Sequence, residues 1–107
     1  MSSVPALDSR ARLSLQRALL GMVTPELRGI AMKVEQSRIF ARFLFDHDPR
    51  EEECALVDEI ETEVIADFAP DVEVVFRAAG LPSTVPLTAE SGERWVYLRR
   101  EIFPEQR

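Results

Sequence analysis

Leu15, Leu19, Met22 and Val23 fall at i, i+4, i+7 and i+8, which is one apolar stripe along an α-helix. Asp8 or Ser9 is placed to cap the start of that helix, and Thr24-Pro25 ends it. From Leu27 the period changes to two. Ile30, Met32 and Val34 alternate with Ala31, Lys33 and Glu35; after Gln36-Ser37, Ile39, Ala41, Phe43 and Phe45 alternate with Arg38, Phe40, Arg42 and Leu44. A two-residue loop at Gln36-Ser37 sets Val34 opposite Ile39, Met32 opposite Ala41 and Ile30 opposite Phe43, so both apolar rows lie on one face of a hairpin. The other face then pairs Glu35 with Arg38 and Lys33 with Phe40 and reads as partly wet. Gln-Ser is a poor type I′ turn, which favours Asn-Gly or other glycine pairs.

A second helix is signalled by Asp48 as cap, Pro49 at the first helical position and Glu51 three residues after the cap. Val57, Ile60, Val64 and Phe68 form its apolar stripe, and Ala69-Pro70 closes it. Two further strands follow, Val72 to Ala78 and Arg94 to Arg100, with Trp95 and Tyr97 on one face of the last. The connection between them, rich in glycine and proline, is about fifteen residues long, which marks it as either an ordered functional loop or a mobile one. The predicted architecture is α+β: an αββαββ two-layer sandwich, a four-stranded sheet with two helices on one face. At 107 residues the chain suits one domain spanning 1–107, with residues 1–8 and 102–107 expected to be flexible ends.

Charge changes this picture more than size does. The segment from Asp46 to Glu73 holds twelve of the nineteen acidic residues and a single base, Arg50, a net of −11; the remaining 79 residues carry twelve bases against seven acids, or +5. A basic scaffold thus carries an acidic insert. The overall charge of −6 opposes nonspecific binding to nucleic acid or anionic lipid, which needs a continuous basic face. The longest apolar run falls far short of the ~20 residues that cross a bilayer, and the start of the chain lacks the pattern of a secretion signal, so a cytoplasmic location is expected. One cysteine, Cys54, and one histidine, His47, do not make the usual zinc sets, so neither metal nor cofactor is expected.

On the second helix the acidic block divides. Glu51, Glu52 and Glu53 occupy the first turn, where the helix dipole favours each by roughly 0.3 to 1 kcal/mol. Glu63 and Asp67 lie near the other end, where the dipole opposes them, and Glu59/Glu63 and Glu63/Asp67 are like-charge pairs costing about 0.2 to 0.5 kcal/mol each. Relief must come from bases elsewhere in the fold, such as Arg42 or Arg77, from solvation, or from a partner. Asp58, Glu59, Glu63 and Asp67 are therefore the candidate partner-binding residues, suited to steering a positive surface.

No P-loop, dinucleotide fingerprint or nucleophile elbow is present. Asp46-His47-Asp48 suggests acid-base chemistry only weakly, because two of the three serve to stop a strand and cap a helix. Cys54 reads as a small buried hydrophobe on the helix's apolar side.

Arg17-Ala18-Leu19-Leu20-Gly21, Thr24-Pro25-Glu26-Leu27-Arg28, Phe45-Asp46, Glu61 to Phe68 and Arg99-Arg100-Glu101 resemble the pattern of a group of small bacterial proteins that includes immunity proteins of contact-dependent growth inhibition and related polymorphic toxin systems. The resemblance spans about residues 14 to 101. It implies a non-catalytic protein that binds the toxic domain of a delivered effector, often a nuclease, and blocks it. Two rival classes stand beside it: a self-associating structural or regulatory domain, with Phe40, Leu44 and Trp95 sealing a homodimer, and a small enzyme built on Asp46, His47 and a carboxylate of the second helix.

Overall fold

The computed structural model describes residues 4–101, with side chains from residue 6 onward. The chain runs α1 (Val4–Ala18), β1 (Leu27–Glu35), β2 (Arg38–Phe45), α2 (Glu51–Ile65), β3 (Glu73–Gly80) and β4 (Arg94–Leu98). The sheet order is β3-β2-β1-β4. β1 pairs antiparallel with both β2 and β4, whereas β3 lies parallel to β2 because α2 carries the chain back across the sheet. Both helices cover one face. Leu7, Ala11, Leu15, Ala18 and Leu19 of the first helical segment and Val57, Ile60 and Val64 of α2 meet Ile30, Met32, Ile39, Ala41, Phe43, Phe45, Val74 and Phe76 of the sheet in one continuous core. The α+β sandwich expected from periodicity is the one that forms.

The hairpin register is also as expected: Val34 pairs with Ile39, Met32 with Ala41, Ile30 with Phe43, Glu35 with Arg38 and Lys33 with Phe40. At the turn Gln36 has φ 55°, and it is the single non-glycine residue with positive φ among the described residues. A positive φ at the first turn residue but not the second is the type II′ pattern, where glycine is usual. Holding an L-residue there costs roughly 1 to 2 kcal/mol, of which glycine's greater unfolded-state entropy returns part. Gln36→Gly is therefore expected to raise stability by about 0.5 to 1 kcal/mol, read as a higher urea midpoint with unchanged slope. A lower midpoint would mean that the Gln36 side chain makes a compensating contact.

Several boundaries move. α1 begins at Val4, ahead of the cap expected at Asp8 or Ser9, so of the segment expected to be a flexible start only residues 1–3 lie outside the described residues; the tail 102–107 lies outside them entirely. α1 ends at Ala18, and a turn through Gly21 (φ 77°) follows, leaving Val23 exposed rather than on the apolar stripe. α2 starts two residues later than Asp48-Pro49 suggested. Its cap is Arg50, whose N–H donates to the Glu53 carboxylate at 2.8 Å, so the reciprocal partner at the third helical position is Glu53 and not Glu51. Asp48 is instead part of a tight turn against the end of β3, where a Cβ at Gly80 would lie 2.8 Å from the His47 carbonyl oxygen. Only glycine fits there. Cys54 is exposed, contrary to the expected burial, because the phase of α2 set by Val57, Ile60 and Val64 in the core leaves it on the side that lines a groove with β3.

Trp95 and Tyr97 do not share a face. The β1–β4 register shifts between Ile30 and Ala31, so Tyr97 opposes core-facing Ile30 while Trp95 opposes Ala31 and packs against Gly29 on the opposite side. An extra residue in β4 breaks the period of two on which the expectation rested.

The sheet's second face is drier than alternation implied. Ala31 and Leu44 are buried there, and the segment 81–93 is held against that side by arginines. Arg42 grips Glu93 through two bonds of 2.7 Å and also donates to the Thr88 carbonyl. Arg28, in the irregularity between Leu27 and Gly29, is 0% exposed; its Nη1 donates to the carbonyls of Leu81, Pro82 and Val85, and its Nε and Nη2 clasp Glu101 at 2.8 Å each. The long connection is an ordered cover, fixed by buried ionic contacts.

Candidate functional site

Two polar features stand out once the fold is assembled: the outer side of α2 and an ionic chain at the end of the sheet where β2 runs into α2.

On α2, Val57, Ile60 and Val64 point into the core, which turns Asp58, Glu59 and Glu63 outward. All three are exposed, and among the described residues none has an ion pair or a side-chain hydrogen bond. Of the bases considered as relief, Arg42 serves Glu93, and Arg77, exposed on β3, lines a groove together with Asp58 without forming an ion pair with it. Asp67, just beyond α2, differs from the other three. It accepts a 2.6 Å hydrogen bond from Ser14 Oγ and a 3.1 Å charged bond from Arg17, so it ties α1 to α2 while remaining partly open to solvent. Ser14, Arg17, Ala18, Glu63, Ala66 and Asp67 line an open groove of about 340 Å³ between the helices. Glu61, on the side toward the sheet, accepts the Phe76 backbone N–H at 2.8 Å. Among the acids of the helix, Glu53 is drawn inward and buried, Glu51 and Glu52 sit exposed in the first turn, and Asp58, Glu59 and Glu63 form an uncompensated row.

The second feature is a chain of alternating charge: Glu53, His47, Asp46, Arg99, Glu101, Arg28. Both Glu53 oxygens lie within 2.9 Å of His47 Nε2, and Asp46 Oδ1 is 2.9 Å from Nδ1. With a carboxylate on each ring nitrogen, His47 is satisfied only as a double donor, the imidazolium. Arg99 joins Asp46 at 2.8 Å to Glu101 at 3.0 Å and also donates to the Pro25 carbonyl and Ser83 Oγ. The chain thus fastens the start of α2, the ends of β2 and β4, the approach to β1 and the segment after β3.

The environment moves Glu53, His47, Asp46, Arg99 and Glu101 in the direction that keeps each charged. Hydrogen bonding to Glu53, then to Asp46, raises the His47 pKa. The Arg99 guanidinium and then His47 lower that of Asp46; the Arg50 N–H and then His47 lower that of Glu53; Arg28 lowers that of Glu101. Raised His47 stabilises the fold below its unfolded pKa, about 6.5, and that contribution is lost as pH rises through the folded value. The lowered carboxylates stabilise above their unfolded values, about 4, and lose this as pH falls through the folded ones. The urea midpoint is therefore expected to be highest between about pH 4.5 and 6.5, falling on both sides. His47→Gln should remove the alkaline fall and keep the acid one; an unchanged alkaline limb would show that His47 is not the group responsible.

Both ring nitrogens of His47 are thus committed to structure, and the triplet Asp46-His47-Asp48 is not brought together as an acid-base site: Asp46 and His47 belong to the ionic chain, Asp48 to the turn beside Gly80. The segments that carried the family resemblance meet in space at the same places. Arg28, Asp46, Arg99 and Glu101 form the ionic chain, and Arg17 meets Asp67. Periodicity alone gave no hint of these pairs, and in Arg17–Asp67, Arg99–Asp46 and Arg28–Glu101 the partners are separated by 50 or more residues.

Two helices on one face of an open four-stranded mixed sheet, with ion pairs fastening the ends of its elements and a row of unpaired carboxylates on the outer side of α2, define a small α+β domain whose distinctive chemistry lies at its surface. The chain belongs to the MafI2 immunity protein family, whose model it matches over residues 8–101. That family implies a cognate toxin protein as partner and is generally non-catalytic. Among solved structures, a zinc form of a substituted MamM CTD is similar at a TM-score of 0.41 and 16% identity, over 76% of this chain and 87% of that one, a likeness too distant to bear on function. No curated protein matches the chain.

Proposed function

We propose that this protein binds the toxic domain of a cognate effector, delivered by contact-dependent growth inhibition or a related polymorphic toxin system, and neutralises it through the acidic side of α2. The observation that carries this reading is the row Asp58, Glu59 and Glu63, exposed and without an ion pair among the described residues. Three carboxylates retained together against their mutual repulsion are suited to a partner with a basic surface. A nuclease presents such a surface, because its groove must hold phosphates, and a carboxylate row can occupy that groove in place of nucleic acid while steering association. Asp67, already shared with Arg17, extends the row and contributes least to it. In this reading the protein acts in the cytoplasm, needs no cofactor and has no activity of its own; no helix among the described residues is long and apolar enough to cross a membrane.

The rival homodimer through Phe40, Leu44 and Trp95 loses support from the structure. Leu44 is buried on the side held by segment 81–93, Trp95 lies against Gly29, and Lys33 covers Phe40 at 5.6 Å, so no open apolar row joins them.

The test is to express the chain with the toxin domain encoded beside it. Recovery of a one-to-one complex and rescue of growth in toxin-expressing cells are the expected results. Absence of both would reject the reading. A complex with a toxin that does not cleave nucleic acid would retain the immunity role and reject the nuclease.

A further inference from the structure

The acidic helix flanks an edge of the sheet. Among the described residues β3 is an edge strand, with β2 on one side only. The amides of Glu73 and Leu81 bond to the β2 side, at the Ser37 and Phe45 carbonyls, so the alternate amides of Val74, Phe76 and Ala78 point away from the sheet. One of these, the Phe76 N–H, is already bonded to a group outside the sheet, the Glu61 carboxylate of α2 at 2.8 Å. Beside it an open groove of about 260 Å³ runs between α2 and β3, lined by Cys54, Val57, Asp58, Phe76, Arg77 and Ala78.

We propose that this edge is a strand-addition site for a basic extended segment of the cognate toxin domain, whose backbone carbonyl displaces Glu61 from the Phe76 N–H. The proposal rests on the immunity reading and adds to it a second contact, made by backbone rather than by the carboxylate row. Charge selects the occupant. Exchange of a carbonyl for Glu61 frees a carboxylate next to Asp58 on the helix side of the groove. A lysine or arginine on the helix-facing side of the incoming strand compensates it, whereas a neutral or acidic strand leaves Asp58 and Glu61 to share the one base that lines the groove, Arg77. A second copy of this chain is disfavoured by the same argument, because pairing β3 with β3 brings a second acidic α2 to the same edge. Until the partner binds, Glu61 blocks the edge against indiscriminate pairing, a role that charged groups commonly fill at exposed strands.

Hydrogen exchange on the wild-type complex with catalytically inactivated toxin domain provides the first test. The Val74, Phe76 and Ala78 amides are expected to slow at least about tenfold on binding. Ala78→Pro provides the second: proline removes an outward N–H while sparing the β2–β3 ladder, as tolerated on edge strands. Affinity should fall at least about tenfold with the urea midpoint retained. Glu61→Gln keeps an acceptor for Phe76 but removes the charge, and should flatten the salt dependence of binding. If the complex forms yet exchange in β3 is unchanged, strand addition is overturned and the immunity reading survives. If no complex forms, both fall. Should Ala78→Pro fail to fold, exchange in the wild-type complex still decides.

Discussion

Arg28→Ala is expected to destabilise the protein by about 3 to 5 kcal/mol, enough to leave a domain of this size largely unfolded under mild denaturing conditions. The side chain is fully buried and every part of the guanidinium is in use: Nε and Nη2 on Glu101, Nη1 on the three carbonyls of Leu81, Pro82 and Val85. Removing it takes the two-point contact from Glu101, which is largely shielded from water and keeps Arg99 alone as counter-charge, and leaves three carbonyls without their donor. Arg28→Lys should recover little of the loss. Lysine has three donors at one point and cannot span a two-point contact with a carboxylate and a carbonyl cluster on the other side. The measurement is urea unfolding followed by circular dichroism and by Trp95 fluorescence. A loss below about 1 kcal/mol for Arg28→Ala would mean that the pair with Glu101 contributes no more than a surface ion pair. The same variant should loosen segment 81–93 first, because its N-terminal half has Arg28 and Arg99 as its anchors.

The largest functional effect is expected from Glu59→Lys combined with Glu63→Lys. Both side chains are exposed and unpaired, so the fold loses no contact, and the like-charge repulsion of the native pair, about 0.2 to 0.5 kcal/mol, is replaced by a similar repulsion between lysines. Binding to the toxin domain is another matter. Each substitution turns an attraction into a repulsion, and losses of about 2 to 5 kcal/mol are typical where a charged partner is desolvated at an interface, a weakening of roughly 30-fold to several thousand-fold. The association rate should fall and its salt dependence should flatten or reverse. Asp67→Asn serves as the contrast: because Asp67 is shared with Ser14 and Arg17, it should cost stability of no more than about 1 kcal/mol and change affinity far less. Unchanged affinity of the double lysine variant at low salt would move the toxin contact off this side of α2 and onto β3 or segment 81–93.

These two expectations concern opposite uses of charge. Arg28 and Glu101 hold each other inside the protein, while Glu59 and Glu63 face outward without a counter-ion. The sequence shows both as charged residues in α+β surroundings and does not distinguish them. The separation of Glu51, Glu52 and Glu53 from Glu59, Glu63 and Asp67 was legible from helix position, since the dipole treats the two ends of a helix differently. What position did not reveal is that Glu53 turns inward to His47, that Glu61 reaches across to Phe76 and that Asp67 has Arg17. Each of those contacts is made outside α2, six residues away for His47, fifteen for Phe76 and fifty for Arg17. The exposed row is consequently Asp58, Glu59 and Glu63, a narrower set than charge patterning alone indicated.

Local periodicity determined the number, kind and order of the elements, the hairpin register at Gln36-Ser37 and the apolar face that both helices cover, because a period of 3.6 or two fixes which side chains share a face whatever lies beyond. The family resemblance was likewise readable from short segments. Only the tertiary structure decided which ends meet: the parallel placement of β3, the irregular residues at Arg28 and in β4, and the ionic chain from Glu53 to Arg28. An irregularity interrupts the very period that sequence reading relies on, and an ion pair over 73 residues carries no local signature, since any acid suits any base until the fold sets their distance.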